Sequence, residues 1–458
     1  MASRHTELTP GAPAVARTGT SLRSLVSMLG MTALALFTAF ALGALIIWAA
    51  SGKLETVGQA YSGLVDGALF KRRGLSESLI ATTPYIFTSL AVALGFKAGM
   101  FNIGVEGQFY IGALVGAWAG YAFTGLPAIV HLPLTLSAAA LSGAIWAGIP
   151  GYLKAKTGAH EVITTIMANY LAFRLTEYMV NNPMKDPNST VPKTPDIAAS
   201  AELWRLWEIP QRLREPLNAL WASIALGIVV LLLARWVLGW PSVRRRVTQP
   251  NQRRWIMYGS ALLAVIILFV ALPALTQAVW PFTDDRDRMN MGLFLAIAAA
   301  IFTWWLLYRT TIGFELRTIG ANPSAARYAG VNVTRTIVLG MALSGALAAL
   351  AGAVEVLGLE HNLPVFFSSG YGFDGIAIAL LARNDPFAVP FAAFLFGGMR
   401  NGSDLMELRS GVSKHLISLI QALVLLFVAA PAMIRWLYRM REVRRLQEEA
   451  PLTRGWGG

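Results

Sequence analysis

From Leu25 to Ala50 the chain runs 26 residues without a charged side chain. A cleavable signal has an apolar stretch of roughly 7–15 residues. This run exceeds that and suits a helix crossing the hydrocarbon of a bilayer. In lipid each backbone N–H and C=O must be bonded internally, so a single spanning segment is helical. The pattern recurs. Apolar runs near 77–96, 109–123, 126–153, 161–180, 216–238, 255–280, 291–308, 336–358 and 414–438 are separated by gaps that hold most of the charge. Only 14% of the 458 residues are charged, against about 25% in a soluble domain.

The net charge of +13 does not form a basic face for nucleic acid, because the arginines lie in the gaps. Short loops rich in Lys and Arg stay on the cytoplasmic side. Arg244, Arg245, Arg246, Arg253 and Arg254 have no acidic neighbour, and their loop is expected inside. Lys154 and Lys156 belong inside as well, as do Arg439, Arg441, Arg444 and Arg445 of the tail. Asp284, Asp285 and Asp287 mark an outer loop, and 181–215, with Trp204 and Trp207, reads as an outer segment with interfacial indoles. Lys71, Arg72 and Arg73 fall in an outer stretch, against the rule. Two cytoplasmic termini require an even number of crossings. Splitting Gly372–Met399 at Arg383-Asn384-Asp385-Pro386 into spans 372–382 and 387–400 gives twelve, and leaving it whole gives eleven. The expected fold is therefore an all-α polytopic membrane protein of about twelve segments, some short or broken. Residues 1–24 read as a disordered cytoplasmic tail, 25–440 as the transmembrane domain and 441–458 as a basic cytoplasmic tail.

Three stretches break the apolar pattern. Arg309–Thr336 carries four arginines against one acid, Glu315. Asn322 reads as a cap, Pro323 as the first turn of a short helix and Gly330 as its stop. Such a helix on an inner face is either a docking surface or an ordinary connection. Lys97–Gln108 contains three glycines and Glu106. An acid there is a functional candidate, or it favours the dipole of the next helix from its first turn. The run 161–180 is polar for a span, with Thr164, Thr165, Asn169, Tyr170, Arg174 and Glu177. Positions 166, 169, 170, 173 and 177 share a face, expected to look into the bundle or an aqueous path. Arg174 and Glu177 are also spaced to pair with each other. Gly112, Gly116 and Gly120, and again Gly340, Ser344, Ala348 and Gly352, form small-residue faces for close helix contact.

Catalytic chemistry has no foothold. There is no cysteine, which excludes disulfides and thiolate sites. No P-loop, H-E-x-x-H pair, G-x-S-x-G elbow or metal-ligand cluster occurs. His131 reads as the outer end of a span and His160 as near the inner surface. No cofactor and no enzymatic activity are expected.

Four runs carry a resemblance: FKAGMFNIGVEGQFYIGA (Phe96–Ala113), GAHEVITTIMANY (Gly158–Tyr170), ELRTIGANPSAARYAGV (Glu315–Val331) and GFDGIAIALLARNDPFAVPFAAFLFGGMRNG (Gly372–Gly402). Together and in this order they resemble the permease subunit of bacterial ABC importers of the simple-sugar and purine-nucleoside type, related to ribose permeases. The first two runs are closer to nucleoside than to ribose permeases. The resemblance implies a multi-pass protein of the bacterial inner membrane. Its partners would be an ABC ATP-binding subunit, a second permease subunit (copy or paralogue) and an extracytoplasmic substrate-binding lipoprotein of the basic membrane protein type. Its substrate would be a nucleoside, or alternatively a simple sugar. The chain departs from the family pattern at about 217–285, where an added two-helix hairpin intervenes.

The resemblance further implies that the segment 309–336 is the coupling loop, with Arg317, Gly320, Asn322, Ala325, Ala326, Tyr328 and Gly330 against the ATPase. Polar and aromatic residues at helix breaks would line the substrate pathway: Phe101, Asn102, Glu106, Gln108, Asn169, Tyr170, Glu355 and Asp374. An ion-coupled secondary transporter would also show broken helices and buried acids, and is distinguished by transport without ATP. A membrane scaffold is disfavoured by the polar face at 164–177.

Overall fold

The computed structural model describes residues 22–238, 250–279, 281–365, 367–430, 433–434 and 437–438. Residues 1–21 of the expected N-terminal tail, the expected tail 441–458, Arg244–Arg246 and the arginines from Arg439 onward lie outside the described residues, while 22–24 already belong to the first helix. Sixteen α-helices follow one another, and no β-strand occurs among the described residues beyond the isolated bridges Lys193–Pro364 and Arg205–Asn290. They are α1 (Leu22–Ser51), α2 (Leu54–Val65), α3 (Gly74–Lys97), α4 (Val105–Ala122), α5 (Ala128–Thr157), α6 (Glu161–Asn181), α7 (Ile209–Arg212) and α8 (Pro216–Leu238). There follow α9 (Pro250–Val279), α10 (Gly292–Arg309), α11 (Thr311–Ala321), α12 (Pro323–Tyr328), α13 (Val333–Glu355), α14 (Tyr371–Leu381), α15 (Val389–Ser410) and α16 (His415–Ala429). Six helices are long and apolar enough to cross a membrane by length and composition, among the described residues.

The centre is α13, packed on α3, α4 and α5. The small-residue faces meet as anticipated. A Cβ on Gly112 would overlap the backbone of Ala349, and one on Gly352 would overlap the Phe109 carbonyl. Backbones this close exclude side chains, and dispersion between tightly packed chains is what holds helices together where lipid is as apolar as leucine.

The split at Arg383–Pro386 is present, with Arg383 and Asn384 both at positive φ (53° and 56°). The second half differs from the expected span 387–400. Helix α15 runs on to Ser410, so Arg400 lies in mid-helix and not at an end. The expected span stops just before Asn401-Gly402-Ser403. In the fold, Gly402 lets α15 lie directly on the Leu64 carbonyl of α2, and packing overrides the local signal.

The segments expected outside are ordered. The stretch 182–215 is stitched across the outer ends of α10 and α13 by Thr194 N–H to Leu363 O (3.0 Å), Ile197 N–H to His361 O (2.8 Å), Leu203 N–H to Leu357 O (2.9 Å) and Leu206 N–H to Met289 O (2.8 Å). Hydrogen bonds from Lys193 and Asn362 hold the Asp196 carboxyl there below its usual range. Of the three cations that go against the charge rule, two have an acid: Arg73 Nε donates to Asp284 Oδ2 at 2.8 Å, and Arg72 lies 3.8 Å from the same oxygen. Asp284, from the loop 281–290, offsets part of that positive charge.

Hairpin α8/α9 stands apart. Its helices pack on each other, and α8 leaves α7 through a bend of 113°.

Candidate functional site

Two places gather the singled-out residues. The first is the polar stretch between α10 and α13. Asn322 caps α12 through its Oδ1, accepting from Ser324 N–H (2.9 Å) and Ala325 N–H (3.1 Å), and Gly330 takes φ +81° at the stop. Tyr328 stands 95% exposed at the tip. Asn322, Ala325 and Gly330 are exposed beside it. Ala326 is fully buried against its own chain, so it seats the short helix and offers no surface. Arg317 also turns inward, donating from Nε to Leu307 O (2.9 Å) and covering the Tyr308 ring at 5.1 Å. Gly320 meets the α3–α4 break: a Cβ on Gly99 would lie 2.7 Å from Gly320 Cα, and Gly99 has φ +72°.

The second place is inside the bundle, at the start of α4. Asn102 and Gln108 exchange amide hydrogen bonds (3.0 and 3.1 Å), and Asn102 also donates to Ser344 Oγ (2.9 Å). Asn169 accepts from Gly107 N–H (2.8 Å) and donates to Ile103 O (2.9 Å). These side chains splice the broken segment to α6 and α13, since buried backbone without a helical partner must find another. Their bonding capacity is largely consumed within the chain.

Glu106 sits in the first turn of α4, 2% exposed. It caps nothing in its own helix. One oxygen accepts from Ser368 Oγ and the other from Gly372 N–H, both at 2.5 Å, tying α4 to the start of α14. Nearby, Arg400 Nη1 donates to Tyr85 Oη (3.1 Å), and Tyr85 Oη donates to Asp374 Oδ2 (2.8 Å). Arg400 also bonds Ser369 Oγ and covers the Tyr371 ring at 4.4 Å. Glu355 is buried beside Ile80, Thr83 and Asn290. Phe109 stacks on Phe367 at 5.2 Å and leans on Tyr371 at 5.6 Å.

Glu106 and Asp374 thus fall in one neighbourhood. Phe101 packs on Phe96 at 5.0 Å, away from it. Tyr170 is 61% exposed on the outer side of α6. The inward face of α6 is Thr165, Asn169, Ala172, Thr176 and Val180, offset from the expected set, which shares only Asn169 with it. The helix is turned so that Asn169 reaches the break and small Ala172 lies close to Gly107 of α4. Arg174 and Glu177 pair at 2.7 Å. Sequence reasoning missed Arg400, Tyr85, Tyr371 and Ser368. A buried arginine followed by Asn-Gly was read as the end of a span, and tyrosines in apolar runs carry no signal of their own.

The family described as branched-chain amino acid transport system / permease component matches residues 74–429. The guanosine ABC transporter permease protein NupP of Bacillus subtilis (strain 168) is 34% identical over 404 residues, spanning 88% of this chain and 93% of that protein. The glucose ABC transporter permease protein TsgB13 of Haloferax volcanii is 32% identical, spanning 81% of this chain and 79% of its own length. The nucleoside ABC transporter permease protein NupB of Lactococcus lactis subsp. cremoris is 28% identical over 82% and 84%. No solved structure matches the chain.

Proposed function

The chain belongs to the branched-chain amino acid transport system / permease component family, and from that premise we propose that it carries nucleosides inward through a bacterial inner membrane. It is a multi-pass ABC permease subunit, a transport component and not an enzyme, working with ATPase and substrate-binding partners on a small-molecule substrate. The observation that carries the nucleoside reading is the end-to-end likeness to a guanosine permease, across 93% of that protein.

In our reading the chain makes twelve crossings with both termini in the cytoplasm, pairs with a second permease subunit and receives substrate from an outer lipoprotein. The segment 309–336 is the coupling loop. Its support is an exposed, capped helix with Tyr328 as an aromatic anchor. Contact falls to Asn322, Ala325, Tyr328 and Gly330, with Ala326 seating them and Gly320 passing motion to the break. The pathway runs past Glu106, Glu355 and Asp374, while Asn102, Gln108 and Asn169 brace it. Hairpin α8/α9, the added 217–285 region, lies on the lipid side.

The test is reconstitution of the permease with its ATPase and binding partners in proteoliposomes. Uptake of labelled guanosine should require ATP and exceed that of glucose. Uptake without ATP, driven by an ion gradient, would overturn the ATP-driven reading. Preference for glucose would favour the sugar reading, for which the likeness to TsgB13 speaks.

A further inference from the structure

Several arginines elsewhere in the chain meet acids directly, among them Arg73 with Asp284 (2.8 Å), Arg288 with Glu77 (2.6 Å) and Arg409 with Asp66 (2.5 Å). Arg400 is different. It is half-buried within the bundle and enters no ion pair among the described residues. Asp374 is close, but the Tyr85 hydroxyl stands between them, accepting from the guanidinium and donating to the carboxylate. Opposite charges in a poorly solvated interior attract strongly. A purely structural arrangement would let them meet. Tyr85 is pinned by its own surroundings, 5.0 Å from the Tyr371 ring and 1% exposed, so the gap is fixed. Asp374 keeps Oδ1 free of hydrogen bonds within the described chain, and Arg400 keeps Nε free. Ser369, bonded to Arg400, is exposed, and Phe373, beside Asp374, is 48% exposed.

We propose that Arg400 and Asp374, held apart by Tyr85, are where the permease reads its cargo, and that they read a neutral edge carrying a hydrogen-bond donor beside an acceptor. This rests on the nucleoside-import reading and names the residues and chemistry for it. The guanidinium has donors only, and the ionised carboxylate acceptors only. Together they complement the vicinal hydroxyls of a ribose, or the lactam N–H and C=O of an oxopurine. Phe373 supplies an apolar flank for a ring. A buried polar pair left unmatched by an analogue discriminates strongly.

The chain has no cysteine, so Ser369→Cys in the purified full-length permease carries the sole thiol. Its labelling by a small maleimide reads occupancy without the ATPase. Millimolar guanosine should slow labelling by about tenfold. If the diol is read, guanosine lacking both ribose hydroxyls fails to protect. If the lactam is read, an analogue lacking the purine carbonyl fails. Adding Arg400→Lys or Tyr85→Phe should abolish protection, read within each variant as the ratio of labelling rates with and without guanosine, since both substitutions also change the thiol's own surroundings. Absence of protection by guanosine, or protection that survives both substitutions, would overturn the proposal. Protection in a permease whose reconstituted uptake ignores ATP would keep this site and sink the ATP-driven reading. ATP-dependent uptake with no protection would do the reverse.

Discussion

Helices α3 and α9 both qualify as membrane spans, yet they live in opposite surroundings. The most apolar window of α9 has mean hydropathy 2.4 and is 6% buried in protein, whereas that of α3 has 1.6 and is 83% buried. The more apolar helix is the one left outside. In water that order would be reversed. In lipid, hydrocarbon tails solvate leucine and valine as well as other side chains do, so apolarity gives no reason to pack. Helix α3 is drawn in by what tails cannot match: threonines and serines, close backbone contact and ion pairs at its outer end. Ser78 Oγ donates to Ala68 O (2.7 Å), and Ala91 O accepts from Ser344 (2.6 Å).

The sharpest way to break this contrast is to put the same bulk in both regions. Gly352→Val forces a side chain against the Phe109 carbonyl and should cost about 3 kcal/mol. Gly259→Val in α9 has nothing within 4 Å of its Cβ and should shift the thermal transition little. Equal shifts, measured in detergent, would mean that α9 is as enclosed as α13. Next in size is Glu106→Gln. It replaces one acceptor oxygen by a donor facing Ser368 or Gly372, at about 1–3 kcal/mol. Uptake should fall with insertion intact, and unchanged uptake would remove Glu106 from the pathway.

Tyr328→Ala should come third. It strips an exposed anchor and should weaken ATPase binding by about 1–2 kcal/mol without altering the melt. Ala326→Asp, by contrast, should unseat α12 itself, because that position is buried. If both act alike on binding and leave the fold alone, the assignment of faces is wrong. Excising 217–279 with a short linker should leave uptake within about twofold, as expected of a helix pair that touches mainly itself. Loss of transport would draw the hairpin into the pathway.

The smallest effect should come from acid. Arg73, by hydrogen bonding, then the Arg286 N–H hold the Asp284 carboxyl below its usual range. A depressed folded value means that its contribution is present above the ordinary carboxylate pKa and fades as pH falls through the lower one. The outer loop 281–290 should therefore loosen only in strong acid, visible as faster amide exchange, and Asp284→Asn should remove that pH dependence.

Much of this architecture was written locally. Apolar runs gave the helices, and the Asn322 cap and Gly330 stop gave α12. The small residues of α4 and α13 announced a contact that the fold contains. What stayed hidden depends on partners distant in sequence. Tyr85 and Arg400 are 315 positions apart and meet only after folding. The one-position turn of α6 was also illegible, because Tyr170 and Asn169 are equally plausible inward residues until Gly107 claims one of them. The reach of α15 past Arg400 was hidden too, because the reason Gly402 is small lies on another helix.

Where Gly99 rests on Gly320, main chain bears on main chain, with no side chain between to change rotamer and absorb a displacement. Such a joint is stiff. A shift of α11 by a fraction of an ångström cannot dissipate there, and Glu106 lies only seven positions further along the chain. The two glycines act as a bearing surface whose worth lies in having no compliance.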